Sequence, residues 1–230
     1  MSTTSHLAPR RAVVDAAAAL FTNGVLSHTG HANLSARLDD GAMLLTIEGQ
    51  VRDLSVDGLA VVGLDGVVRE GDLDPTNAEI VAMHAEVYRA RPDVGGIIHT
   101  HSPHLLAFAL ANRPLACRYE ALLRFGQASP VPVVPWAPRG SSRSVGDIVT
   151  AFTASSTNAV LLGNHGVLVV GAGPRQAAAL LTVLEEAARA EIAAIALGGA
   201  QDFPAGALDD VRAAMARVRG AHEDAVPRRG

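Results

Sequence analysis

Cysteine is nearly absent: Cys117 stands alone among 230 residues, so no disulfide can close within the chain. That scarcity fits a reducing compartment. Basic runs are missing as well. The arginines are scattered, the net charge is −4 and the isoelectric point is near 6.1, which argues against the basic patch of a nucleic-acid binder. No apolar run reaches membrane-spanning length, because the longest apolar helical stretch, 177–197, is broken by Glu185, Glu186, Arg189 and Glu191. The N-terminus lacks the layout of a signal peptide: a polar segment, Met1–Arg11, is followed by an amphipathic one, Ala12–Phe21, that contains Asp15. Linkers, internal repeats and low-complexity tracts are also lacking. The expectation is one domain over 1–230, with loose tails at about 1–10 and 221–230. Its compartment is expected to be the cytoplasm and its partner a small molecule, with no nucleic acid and no membrane.

Almost half of the residues are apolar, enough for a substantial core. Strands are expected at Asn33–Arg37 and Met43–Glu48 around Asp39-Asp40-Gly41, and at Leu59–Gly63 and Val67–Glu70 around Asp65-Gly66. A helix over Thr76–Arg91 ends before Pro92, and Val94–His99 reads as a buried strand. A helix from Ser102-Pro103 to about Asn112 follows. Val131–Trp136 carries Pro132 and Pro135, which makes it an edge strand or an irregular one. Ser144–Ala154 reads as a helix, and Ala159–Leu162 and Val167–Val170 as strands around Gly163–Gly166. A long helix then opens at Pro174, and a last one covers about Ala207–Arg219. Hairpins mixed with helices indicate an α/β sandwich whose sheet is not purely parallel.

The chemistry concentrates in Ile97-Ile98-His99-Thr100-His101. Side chains alternate along a strand, so His99 and His101 share a face. Burying two imidazoles is costly without a partner, and a shared metal ion supplies one. Glu79 and His165 sit where further ligands would suit. Locally, Thr76-Asn77-Ala78-Glu79 fits a capping box, with Glu79 reaching back to a Thr76 cap. His165 lies in Gly163-Asn164-His165-Gly166, a plain turn on one reading and a rigid mount for a ligand on another. His84 reads as a packing or surface residue, His104 as a neighbour of the site or a surface group, and His28 and His31 as ambiguous. Asn33, Ser35 and Arg37 form a polar row on one strand face after Gly30, suited to an anionic oxygen or to an ordinary edge strand. Trp136 and Phe125 suit an aromatic pocket or the core, with the core placed first.

Taken in order, Gly30-x-x-Asn33-x-Ser35-x-Arg37, Thr46-x-x-Gly49, Glu79, His99-x-His101 and Asn164-His165-Gly166 resemble the class II aldolase/adducin family. The resemblance covers about Ala12 to Leu197. It implies a three-layer α/β/α sandwich with a mostly antiparallel central sheet, and a homotetramer with active sites between subunits. It also implies one divalent metal ion per subunit on His99, His101 and His165, with Glu79 completing the shell or acting as acid/base. Zn²⁺ is placed first, ahead of Mn²⁺, Fe²⁺ and Co²⁺. Tyr119 falls where family aldolases place a proton donor from a neighbouring subunit. Asn33, Ser35, Arg37, Thr46 and Gly49 correspond to substrate-binding positions.

Two departures bear on the substrate. Asn77 and Ala78 replace the two small hydroxyl residues usual before the acid, and Glu48 puts a carboxylate beside the phosphate pocket. With the resemblance to a family that includes decarboxylases, these departures give the expectation of a metal-dependent carbon–carbon lyase acting on a non-phosphorylated substrate. It leans to decarboxylation of a hydroxylated carboxylate, a dihydroxy-aromatic one being an example. Arg37, Arg124, Arg139 and Arg143 are the candidate carboxylate binders. Retro-aldol cleavage of a hydroxy-keto or sugar-like compound is the rival. An adducin-like, non-catalytic binding module is the alternative of another class.

Overall fold

The computed structural model describes residues 6–39, 41–211 and 213–215. The expected tail 221–230 and residues 1–5 of the other lie outside these residues. Leu7–Arg10, expected to be loose, instead form the first turn of a helix in which Arg10 is 1% exposed and donates to the Val56 and Leu59 carbonyls. The end of the last expected helix also lies outside, and 207–211 and 213–215 are helical.

The elements run α1 (Leu7–Thr22), β1 (Ala32–Leu38), β2 (Ala42–Thr46), β3 (Leu59–Gly63), β4 (Val68–Glu70), α2 (Ala78–Ala90), β5 (Gly96–Thr100) and α3 (Pro103–Leu110). They continue with α4 (Glu120–Arg124), β6 (Val133–Val134), α5 (Ser142–Ala154), β7 (Ala159–Leu162), β8 (Gly166–Gly171) and α6 (Pro174–Ala194). The strands form one mixed sheet in the order β4-β3-β2-β1-β5-β8-β7-β6. Every neighbouring pair is antiparallel except β6 with β7. The Pro-flanked β6 holds an edge, where a missing donor does no harm. The short α4 had no expected counterpart: its five residues carry no helical period of their own.

Alternation along the central strands feeds two buried clusters, one on each face of the sheet. Leu34, Leu44, Ile98 and Val169 join the cluster that takes in α1, α3 and α6, while Leu45, Ile97, Leu168 and Val170 join the one with α2 and α5. The longest helix, α6, buries Ala177, Leu180, Leu181, Leu184 and Ala188 at spacings of three and four. Each fully buried leucine or valine contributes roughly 1.5–3 kcal/mol. β5 lies mid-sheet and buried along its whole length, which makes its C-terminal end a rigid place to mount side chains.

Glu185 ties α6 to that end. Its buried carboxylate accepts hydrogen bonds from the backbone N–H groups of His104 and Leu105, at 2.8 and 3.0 Å, and pairs with His104 Nδ1 at 2.7 Å. It thereby satisfies first-turn donors of α3, which starts two residues after His101. Glu185→Ala is expected to destabilise the protein by about 2–4 kcal/mol, since buried donors lose a charged acceptor. A denaturant midpoint equal to wild type would refute this.

Candidate metal centre and active site

The three histidines meet at one end of the sheet. His99 is the penultimate residue of β5, in register with Asn33 on β1 and Leu168 on β8, and Thr100 ends the strand. His101 follows directly. His165 sits in the turn joining β7 and β8, where Asn164 adopts a left-handed backbone (φ 56°), a conformation that asparagine tolerates. That turn is braced from α3: Asn164 N–H donates to the Ala109 carbonyl at 3.0 Å. It also approaches β5 closely, because a Cβ on Gly166 would stand 2.5 Å from the Thr100 carbonyl oxygen and 2.7 Å from His101 Cδ2. Only glycine lets His165 come this near. One ring nitrogen from each histidine lies within 4.8 Å of the others.

The tautomer of His99 follows from its partner. The Val167 carbonyl, 3.0 Å from His99 Nδ1, can only accept, so Nδ1 carries the hydrogen and Nε2 keeps its lone pair. His101 Nε2 is buried with no hydrogen-bond partner among the described residues, the position of an atom that needs a metal or a water. Burial first, then the other histidines, holds His99 well below the ordinary imidazole pKa. The same causes, with Arg139 added, take His101 to about 4. Burial and then Arg139 lower His165, against the pull of Glu79. All three are therefore neutral at pH 7, the form that binds metal. A set of three imidazoles near a carboxylate fits Zn²⁺ and its divalent transition-metal neighbours.

Glu79 is not a cap. The Thr76 hydroxyl donates to Asp74 at 2.6 Å, Asn77 occupies the N-cap, and the Glu79 carboxylate pairs with Arg139 Nε at 3.2 Å. Glu79, Arg139 and His165 line one cleft with Trp136 and Gly140. Trp136 is 62% exposed and Phe125 45%, so the core placement holds for neither. Tyr119 stands at the N-cap of α4, 43% exposed, and is not among the residues lining this cleft.

The polar row behaves differently from its expected role. Arg37 donates to the carbonyls of Val94, Tyr88 and Arg91 and lies over the Tyr88 ring, so its fork caps the end of α2 instead of reaching a ligand. Ser35 is fully buried between His84 Nδ1, at 2.7 Å, and the Tyr88 hydroxyl, at 2.9 Å. Thr46 is fully buried, with its hydroxyl accepting from Leu34 N–H. Neither of these two side chains faces the cleft, because in-register pairing turns them into the sheet's covered faces. Asn33 alone lies beside His99, its Oδ1 buried without a partner among the described residues. Gly49 has an indirect part: a Cβ there would stand 2.1 Å from His31 Cε1. The space it leaves admits the His31 ring, which stacks on His101 with centroids 5.4 Å apart and planes 4° from parallel. The sequence left His31 ambiguous, and its place beside Gly30 carried no usable signal. Of the two readings for His84 the packing one holds, His104 is held by Glu185, and His28 is exposed.

Residues 11–192 match the family described as the class II aldolase and adducin N-terminal domain. The chain belongs to this family. A 3-oxo-tetronate 4-phosphate decarboxylase of Pectobacterium atrosepticum is 34% identical over 198 residues, 82% of this chain and 85% of that protein. A 5-methylthioribulose-1-phosphate/5-deoxyribulose-1-phosphate aldolase of Rhodospirillum rubrum is 25% identical over 90% of both chains. Among solved structures, YgbL of Klebsiella pneumoniae, described as a putative aldolase/epimerase/decarboxylase, superposes with a TM-score of 0.77 at 29% identity. It covers 92% of this chain and 99% of its own. An L-fuculose 1-phosphate aldolase superposes at 0.79 and 21% identity, over 92% and 97%, which shows the shared fold. The family member described here is an enzyme of the lyase class.

These relatives overturn one expectation. The substrates in their names carry a phosphate, whereas a substrate without one was expected here. The premises were Asn77 and Ala78 in place of hydroxyl residues and the charge of Glu48. Asn77 donates to the Ile47 carbonyl at 2.8 Å, a structural use. The Glu48 side chain is exposed, so solvent and salt screen it.

Proposed function

We propose that this enzyme is a divalent-metal-dependent carbon–carbon lyase that decarboxylates a phosphorylated 3-oxo acid. The observation that carries it is the cluster of His99, His101 and His165, neutral and close enough to share one ion, beside the Glu79–Arg139 pair. A lyase of this kind needs an electron sink. The chain contains no lysine, since all 19 of its Lys+Arg residues are arginine, so no side chain of it can form a Schiff base. A divalent ion on the three imidazoles would supply the sink by polarising a carbonyl. In the reaction the C1–C2 bond of the 3-oxo acid breaks, its electron pair moves into the C3 carbonyl, carbon dioxide leaves, and C2 takes a proton. Glu79 is positioned to carry that proton, with Tyr119 as the second carrier, reaching in from a neighbouring subunit. Asn33, beside His99, offers its amide to the substrate. The same reading takes 1–230 as a single domain layered α/β/α, the assembly as a homotetramer, the compartment as the cytoplasm and Zn²⁺ as the first metal to try. No helix among the described residues is long and apolar enough to cross a membrane.

The test is product detection with the purified, metal-loaded enzyme and 3-oxo-tetronate 4-phosphate. Carbon dioxide released in step with substrate loss is expected. Aldehyde from fuculose 1-phosphate or 5-deoxyribulose 1-phosphate, with no carbon dioxide from the 3-oxo acid, would replace decarboxylation by retro-aldol cleavage.

A further inference from the structure

The geometry points to Arg139 as the residue that selects an acid as substrate, by binding the carboxylate that is lost. This inference rests on the 3-oxo acid reading above.

The other candidate arginines do not line the histidine cleft. Arg37 is spent on three carbonyls, Arg124 pairs with Glu120 on α4, and Arg143 lies 3.7 Å from Asp147 on α5. Arg139 lines the histidine cleft, is 54% exposed, and among the described residues makes one ion pair, through Nε to Glu79. A guanidinium carries five N–H donors in a planar fork, so most of its donors stay available to an incoming anion. Gly140, with φ +68°, carries the chain past Glu79: a Cβ there would stand 2.7 Å from Glu79 Cγ. The loop therefore holds Arg139 against the acid with no room for a larger neighbour.

Electrostatics give the arrangement a direction. Arg139 is near enough to His31, His101 and His165 to lower the pKa of each. A guanidinium and a divalent cation facing one cleft repel each other, and an anion between them relieves this. Glu79 partly fills that role in the free enzyme. A substrate carboxylate can take over the Arg139 fork, which frees Glu79 for proton transfer. Once the C1–C2 bond breaks, the carboxylate has become neutral carbon dioxide. Arg139 then has no anion to hold, and Glu79 can pair with it again. A ketose phosphate, which lacks this carboxylate, makes no use of the fork.

Binding separates this inference from the activity. Two unreactive probes, 4-phosphoerythronate and erythritol 4-phosphate, differ only in the carboxylate. Calorimetric titration of the Zn²⁺-loaded wild-type enzyme is expected to show tighter binding of the acid. Arg139→Met should weaken the acid by about tenfold to a hundredfold, the range for a hydrogen-bonded charged pair, and the alcohol by less than about twofold. Arg139→Lys, which keeps the charge and loses the fork, should fall between. Equal weakening of both probes would assign Arg139 to the phosphate and overturn the inference. So would a wild-type enzyme that binds neither probe or does not discriminate between them. Discrimination by the wild type, lost in Arg139→Met, together with no carbon dioxide from any 3-oxo acid phosphate, would sink the decarboxylase reading and leave carboxylate binding standing.

Discussion

His101→Ala is expected to lower bound metal from about one equivalent per subunit to near zero, and the lyase rate by at least about a thousandfold, while the fold persists. His101 is the informative ligand to remove. It follows β5 instead of lying within it, and its side chain is only partly covered. His99 is 1% exposed and bonded to Val167, so its removal would leave a cavity and confuse loss of metal with loss of packing. With His101 gone, His99 and His165 remain as two nitrogens, too few to hold an ion against dilution without Glu79 closing in. Elemental analysis after gel filtration reads the metal, and circular dichroism with a thermal melt reads the fold. A variant that keeps a full equivalent of metal would sink the three-histidine centre. One that loses metal but keeps its rate would sink the metal-dependent mechanism.

The metal-free protein is expected to lose stability steeply as pH falls from 6.5 towards 4, well before carboxylates titrate. Burial lowers His84 from 6.5 to about 3, and His101 falls to about 4. A folded-state pKa below the unfolded value means that the unfolded chain binds more protons in the interval between them. The stabilisation is thus complete above pH 6.5 and is lost as pH falls towards the folded value. At about 1.4 kcal/mol per unit, His84 alone costs roughly 3 kcal/mol by pH 4.5, a large share of a typical 5–15 kcal/mol total. Lowered carboxylates such as Asp93 act below their ordinary 3.8, outside this window. Urea midpoints measured from pH 7.5 to 4.5 give the slope. His84→Gln, which keeps a hydrogen-bonding partner for Ser35 without titrating, should flatten it. A flat wild-type curve would show that His84 accepts a proton in place, and the buried Ser35–His84–Tyr88 network would need another description.

The two glutamates show how far local pattern reaches. Thr76-Asn77-Ala78-Glu79 looked like a cap, yet Thr76 turned to Asp74 and Glu79 to Arg139, sixty residues away in sequence. Glu185 looked like a mere interruption of an apolar helix, and it caps α3 across the core. Arg37 and Ser35 were placed correctly on a strand face, but whether that face is open or covered depends on α2 packing over it. Arg139 and Trp136 reach the cleft, and His31 reaches His101, from segments whose paths have no periodicity to read.

What the sequence determined by itself is whatever repeats over a few residues. The alternation of β5 put His99 and His101 on one side, paired apolar runs around Asp65-Gly66 and Gly163–Gly166 made hairpins, and the ordered motifs identified the family. Tertiary structure decided the rest: that His165 joins the pair, that His31 stacks where Gly49 leaves space, and that Arg139, among the described arginines, lines the cleft. The reason is physical. Backbone sterics and local burial act over two to five residues. The site is assembled by contacts across dozens, where a missing Cβ at Gly166 or a single ion pair settles which side chains meet.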